Sequence, residues 1–282
     1  MRVLVSGLLQ FDSGKTSLAL SLIHEAVERG MDVGVVKPIT AFSGWYQYSS
    51  VLKSMELGKL VGEDIYKLHE TAKSEDPIEL ESPVVLMHMP PDPERVEWRS
   101  TFYTALNLKE RIISVRITNP KGTNHFYVPE NLNRLTGSLR DVATKLVNTL
   151  KPKPLDVEKV DELIPKLGEL ADECVGTISS KHDFTLIESY NNASAPTWKS
   201  LDVDVVLIVA PSKVAIFEGK SYRKAVELLL NPPWLIPSED IVSILRPAKT
   251  VELKPTLNKN SAWAEGLLDE IYRLFRISSN AL

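Results

Sequence analysis

The stretch Ser6–Ile23, "SGLLQFDSGKTSLALSLI", decides the fold. It ends like a phosphate-binding loop of the form G-x-x-x-x-G-K-[ST], with Gly14, Lys15 and Thr16 in the last three places. Leu9 stands where the first glycine belongs, and Gly7 lies two places earlier. The strict pattern fails, but its chemically demanding part is intact. A glycine lets the backbone approach an anion, a lysine reaches phosphate oxygens, and a hydroxyl serves Mg²⁺.

Context carries the reading. Just before the loop, "RVLVSG" is a β-branched and leucine run closed by Gly7, which predicts a buried strand. Just after it, Leu18, Leu22, Ile23, Ala26 and Val27 recur at helical spacing from Lys15 to Arg29, and Gly30 sits where a helix ends. "MDVGVVKPIT" then predicts a second strand. Strand, loop, helix and strand make a βαβ unit. Helix amides and dipole at such a junction favour anions, so Asp12, Ser13, Gly14, Lys15, Thr16 and Ser17 are the candidate nucleotide-binding residues. The plain alternative is an ordinary helix start capped by Asp12 or Ser13.

Two more strand ends point the same way. "GVVKPIT" delivers Lys37 to the carboxyl edge of a sheet, where α/β proteins bind ligands. There it could neutralise phosphate or an anionic acceptor. "DFTLIESYNNASAP" ends an apolar strand with Glu188, placed to hold Mg²⁺ or its waters, whereas Asp183 opens that strand at the opposite edge. Lys15 and Lys37 are thus the candidate catalytic cations. Thr16 and Glu188 are the candidate metal ligands.

Further on, "AFSGWYQYSS" reads as a polar, aromatic loop, able either to stack a ring or to pack in a core. Ser54–Thr71 reads as a helix in two pieces broken near Gly62, and "SPVVLMHMPP" as a short apolar stretch. "RIISVRIT", "NPKGTN" and "HFYVPE" suggest a hairpin. Helices are expected at Leu139–Leu150 and Val157–Cys174, and residues 90–176 read as an inserted α+β subdomain within one domain spanning 1–282. "DVDVVLIVAP" is a covered strand, "KSYRKAVELLL" a helix and "EDIVSILRP" a strand. "SAWAEGLLDEIYRLFRI" reads as a C-terminal amphipathic helix. The fold class expected is α/β, a mainly parallel sheet with helices on both faces.

Composition narrows the remaining choices. The chain has 282 residues and net charge −4, which disfavours a protein that wraps nucleic acid. Cys174 is the only cysteine, so no intrachain disulfide forms and a cytoplasmic setting fits. No apolar run approaches the roughly 20 residues of a membrane span, and the first residues read as a strand rather than a signal peptide. The five histidines show no metal-ligand spacing.

"SGKT", "VVKPIT" and "LIESYNNASAP" together resemble dethiobiotin synthetase and the related cobyrinic acid amide synthases. The chain is also similar to an archaeal group of predicted P-loop ATPases/GTPases. The resemblance covers about residues 1–85 and 178–250. It implies an ATP- or GTP-dependent, Mg²⁺-dependent P-loop fold with Lys15 and Lys37 on phosphates and Thr16 and Glu188 on the metal. It implies a further acidic Mg²⁺ residue after the K-P motif, for which Asp64 is the nearest candidate, and a homodimer. "LLQFDS" and "SYNNAS" replace the family's own loops, so biotin synthesis is not expected. The expected activity is transfer or hydrolysis of a γ-phosphate, as a kinase or ligase acting on a small acceptor near Phe42–Tyr48 and the inserted segment. The alternatives are a nucleotide-switched NTPase that binds a partner protein and, less favoured, a polynucleotide 5′-hydroxyl kinase.

Overall fold

In the computed structural model, which describes residues 1–254, 263 and 266–275, the run before the loop is strand β1 (Arg2–Gly7), buried from Val3 onward. Helix α1 (Lys15–Glu28) follows, with Gly30 at positive φ directly after its C-cap. β2 (Val33–Val36) and β3 (Ile39–Ser43) come next. The single strand expected over "MDVGVVKPIT" is therefore two. Pro38 has no amide hydrogen to continue a ladder, and the chain passes there from one sheet to another.

Helices α2 (Tyr48–Leu57) and α3 (Glu63–Ala72) are separated by a turn that opens at Gly58. The break near Gly62 is as expected, but the first helix starts six residues earlier than the expected Ser54. The "AFSGWYQYSS" loop is reduced to the few residues between β3 and α2. A short α4 (Ile78–Glu81) leads to β4 (Val84–His88). After α5 (Ser100–Ala105), β5 (Ile112–Asn119) and β6 (Gly122–Tyr127) form the expected hairpin. Then come α6 (Pro129–Leu132), α7 (Gly137–Leu150), β7 (Lys153–Pro154), α8 (Val157–Leu163) and α9 (Leu167–Ser179). The last two replace one expected helix, interrupted by a 3₁₀ turn containing Pro165.

β8 (Phe184–Glu188), β9 (Val205–Ala210) and β10 (Lys213–Glu218) are followed by α10 (Gly219–Leu228) and α11 (Ser238–Ile244). "EDIVSILRP" is thus a helix, not a strand. Its β-branched residues suggested extension, but Glu239 and Asp240 occupy a first helical turn. The strand in this region is β11 (Lys249–Glu252), and within the expected C-terminal helix Leu267–Phe275 form α12 while Trp263 and Gly266 lie in turns. The rest of that expected helix lies largely outside the described residues.

Six strands form the first sheet in the order β11-β10-β9-β1-β8-β2. β9, β1, β8 and β2 are mutually parallel, and β10 and β11 add antiparallel edges. Period-2 alternation sends Val3 and Val5 to one face and Leu4 to the other. The first face packs on Leu18, Leu22, Ile65 and Leu268 of α1, α3 and α12. The second packs on Val175, Tyr222, Val226 and Ile241 of α9, α10 and α11. Helices cover both faces, as a largely parallel sheet requires.

The second sheet has the order β3-β4-β5-β6-β7 and mixed pairing. It opens at Ile39 and so draws on chain before residue 90. Helix α9 joins the two layers. Leu167 and Ala171 pack with the second sheet, while Val175 and Ile178 pack with the first.

Candidate functional site

Parallel strands β1, β8 and β2 end together, which brings the loop after β1, Glu188 and Lys37 to one edge. The loop is folded by its own side chain. Ser13 Oγ donates to Leu9 O at 2.9 Å and accepts from Leu9 N at 3.0 Å. Leu8 N donates to Val209 O and anchors the loop to β9. Asp12 and Gly14 both take positive φ, and Gly14 is the N-cap of α1. Among the described residues no side chain caps α1, and its first turn holds no acid. Those amides lack intrahelical acceptors, and the alternative of an ordinary cap by Asp12 or Ser13 does not apply.

Lys15 folds back over the strand end. A Cβ on Gly7 would lie 2.8 Å from Lys15 Nζ and 2.7 Å from Ser13 Oγ. Gly7 therefore serves the loop by its missing side chain, a role the spacing of the motif did not reveal. Burial lowers the Lys15 pKa from its ordinary value. Glu188 opposes that, and the Lys37 charge adds to it.

At the centre is a charge cluster buried at Lys37 and Glu188 and open to solvent at Asp64, whose side chain is 38 % exposed. Lys37 Nζ donates to Asp64 Oδ2 at 2.6 Å and to Glu188 Oε1 at 2.8 Å. Thr16 Oγ1 donates to the same Glu188 oxygen at 2.7 Å. Glu188 is 0 % exposed and the Lys37 side chain 6 %. The other carboxylate oxygen, Glu188 Oε2, is buried with no hydrogen-bond partner among the described residues. Burial alone would pull the Lys37 ammonium down, but Glu188 and Asp64 push its pKa up. Lys37 in turn holds Asp64 below the usual carboxylate range.

Local sequence explains the approach of Asp64. Gly62 caps α3, and any Cβ there would collide with Thr40 Cγ2 of β3. The missing side chain lets the first turn of α3 come down onto the β2–β3 junction. Lys37 is fixed by its own backbone, whose amide donates to Glu81 O, and by the extended preference of a residue before proline. Behind Glu188, Ser6 and Ser189 both donate to Ala193 O, tying the "SYNNAS" loop to β1.

The structure thus gathers Lys15, Thr16, Lys37, Asp64 and Glu188, and builds the loop from Asp12, Ser13 and Gly14. Asp12 is exposed, and its charge reaches Lys15. Ser17 lines a neighbouring cleft of about 570 Å³ with Thr16, Leu20, Asp64, Tyr66, Lys67, Glu70 and Thr71. Trp263 is an addition that sequence reasoning missed. A Cβ on Gly14 would lie 3.0 Å from its indole, and its Nε1 donates to Lys254 O.

The donor set fits Mg²⁺ carried by a polyphosphate. A hydroxyl, one carboxylate with an unused buried oxygen and a second carboxylate supply hard oxygen ligands, with phosphate and water to complete the shell. Among the described residues, no three His, Cys, Asp or Glu side chains are grouped for a metal. A cation here would therefore depend on phosphate oxygens.

The aromatic loop follows β3 of the second sheet. Phe42 is buried in the second sheet, whereas Trp45 and Tyr46 are 56 % and 85 % exposed. Cys174 is buried, its Sγ donating to Thr118 O, and burial pushes its pKa to about 11. That describes a structural thiol.

No family model, curated protein or solved structure matches the chain. Among the described residues, no helix is long and apolar enough to cross a membrane.

Proposed function

We propose that this protein binds ATP or GTP with Mg²⁺ and transfers or hydrolyses the γ-phosphate, in the manner of a P-loop kinase or ligase with a small acceptor. The observation that carries the reading is the convergence of Lys15, Thr16, Lys37 and Glu188 at one sheet edge, with a buried, unpartnered carboxylate oxygen among them. The α1 amides and Lys15 would hold the phosphates. Lys37 would spread charge on the transferring group, and Thr16 and Glu188 would hold the metal. Bound Mg²⁺ would supply charge neutralisation on the phosphate oxygens. The acceptor would approach through the cleft beside Thr16 and Asp64.

Calorimetric titration with ATP and GTP, each with and without Mg²⁺, tests the binding. Saturable binding of at least one nucleotide that disappears in Lys15→Ala is the expected result. No heat and no thermal stabilisation with either nucleotide sinks the reading. The second reading is a nucleotide-switched module that hydrolyses slowly until a partner protein binds. Asp64 favours it in one respect, since the residue links the site to a whole helix, α3. Nucleoside diphosphate release stimulated by small metabolites supports the enzyme.

A further inference from the structure

Asp64 does not merely wait for a metal. It shares Lys37 with Glu188, while Glu188 also takes the Thr16 hydroxyl. Every group named above for Mg²⁺ is thereby tied, directly or through Glu188, to one ammonium. That ammonium is also the group needed on the γ-phosphate. At 2.6 Å from Asp64 and 2.8 Å from Glu188, Lys37 Nζ has committed its charge and two of its three N–H donors to carboxylates, which leaves one donor for a phosphate.

We infer that Asp64 is a positioning residue for Lys37. It holds the lysine on the carboxylates until metal and phosphate arrive together. The inference rests on the nucleotide reading above and states how that site is regulated. A divalent cation at Thr16 and Glu188 would repel the ammonium, and a γ-phosphate would give it a new partner. Each ligand alone does half of this. Phosphate without metal must compete with two carboxylates for Lys37, and metal without phosphate must part a buried ammonium from Glu188 with no new anion to receive it. Metal and nucleotide therefore bind with positive coupling through Lys37, and by linkage the coupling is reciprocal.

Position supports this role over that of a simple ligand. Asp64 sits in the first turn of α3, and α3 reaches Lys37 only because Gly62 lets it pack against Thr40. Release of Lys37 would loosen that turn, so the state of the site is felt by a helix that packs along α1.

The test is nucleotide affinity in EDTA and in Mg²⁺, using whichever of ATP or GTP binds the unaltered protein more tightly. Asp64→Asn leaves Lys37 held by Glu188 alone, so metal-free affinity is expected to rise about fivefold or more and the enhancement by Mg²⁺ to shrink. Removing a negative charge favours an anion in any case. The gain is therefore measured again in a Lys37→Met background, where it is expected to vanish. Gly62→Ala provides a charge-neutral arm. It crowds Thr40 Cγ2, is expected to shift the first turn of α3 and Asp64 away from Lys37 and so to raise metal-free affinity in the same direction, and this arm decides if Lys37→Met does not fold.

An equal gain in both backgrounds, or no gain in Asp64→Asn, overturns the inference while leaving nucleotide binding intact. So does unchanged metal-free affinity in a folded Gly62→Ala. Failure of the unaltered protein to bind any nucleotide overturns the functional reading itself, and this inference with it.

Discussion

Lys37 and Glu188 form an ion pair out of reach of solvent, Nζ to Oε1 at 2.8 Å, between the ends of neighbouring parallel strands β2 and β8. Removing one partner of a buried pair leaves the other charge uncompensated, at a cost of about 3–5 kcal/mol. Lys37→Met strands the buried Glu188 carboxylate and is expected to lose stability in that range by urea unfolding. Glu188→Gln leaves Lys37 with Asp64, so a smaller loss, about 2 kcal/mol, is expected. Glu188→Gln should also lower Mg²⁺-dependent turnover more than nucleotide affinity. Equal effects on both would remove the metal role.

Lys15→Ala tests a different property. Among the described residues, no side-chain hydrogen bond or ion pair holds Lys15 in the cluster. It lies over Gly7 and is kept there by loop geometry. Stability is expected to change by less than about 1 kcal/mol, as for other side chains outside the core. Nucleotide affinity is expected to fall about a hundredfold, the scale of losing a charged hydrogen-bonding partner. Retained affinity in titration calorimetry would place the phosphates elsewhere.

The local part of this site was legible in the sequence. A strand, a glycine-lysine-threonine turn and a helix are consecutive, and periodicity reports them. Lys37 and Glu188 were legible as strand ends, since chain direction fixes which edge they reach. Their contact was not, because it depends on β2 and β8 being neighbours across 151 positions. Sheet membership was hidden for the same reason. Val36 and Ile39 look alike as β-branched residues, yet one pairs with Ile187 and the other with Val84. β11 was missed because it is an edge strand of alternating exposure with a lysine and a glutamate in four residues. α11 was misread because Ile241 and Val242 suit either element. What decides it is tertiary, the docking of Ser238 onto Asn192 O. Gly62 gave no sign beyond a helix break, since its purpose is to make room for Thr40.

Gly14→Ala probes the loop conformation. Gly14 has φ +90°, a region costly for any residue with a Cβ, and the indole of Trp263 closes against it. Roughly 1–2 kcal/mol of strain is expected, with a shift in Trp263. The measurements are a lower urea midpoint and a change in tryptophan emission that Trp263→Phe abolishes. Nucleotide affinity is expected to drop as well, because the α1 amides follow directly from this residue. An alanine variant with unaltered midpoint, emission and affinity would show that the left-handed turn is not required.

pH dependence should arise at the opposite edge of the sheet. His182 precedes β8 and Asp32 precedes β2, so both lie away from the nucleotide edge. His182 Nδ1 faces Asp32 at 2.9 Å and Nε2 faces Asp76 at 2.6 Å, while Lys181 also binds Asp76. Burial alone would lower the pKa of the ring, but hydrogen bonds to the two carboxylates raise it above 6.5. With carboxylates at both nitrogens, the doubly protonated ring is the favoured form. Folding therefore binds this proton more tightly than the unfolded chain does. Its stabilisation is complete below the unfolded value near 6.5 and is lost as pH rises through the higher folded value. Thermal melting should fall by on the order of a few °C between about pH 6 and pH 8. His69, raised by its bond to Glu81, contributes with the same sign, so the His182 share is read by difference. His182→Gln is expected to melt lower at pH 6 and to show a flatter profile than the unaltered protein. Parallel profiles would mean that His182 carries no proton-linked stability.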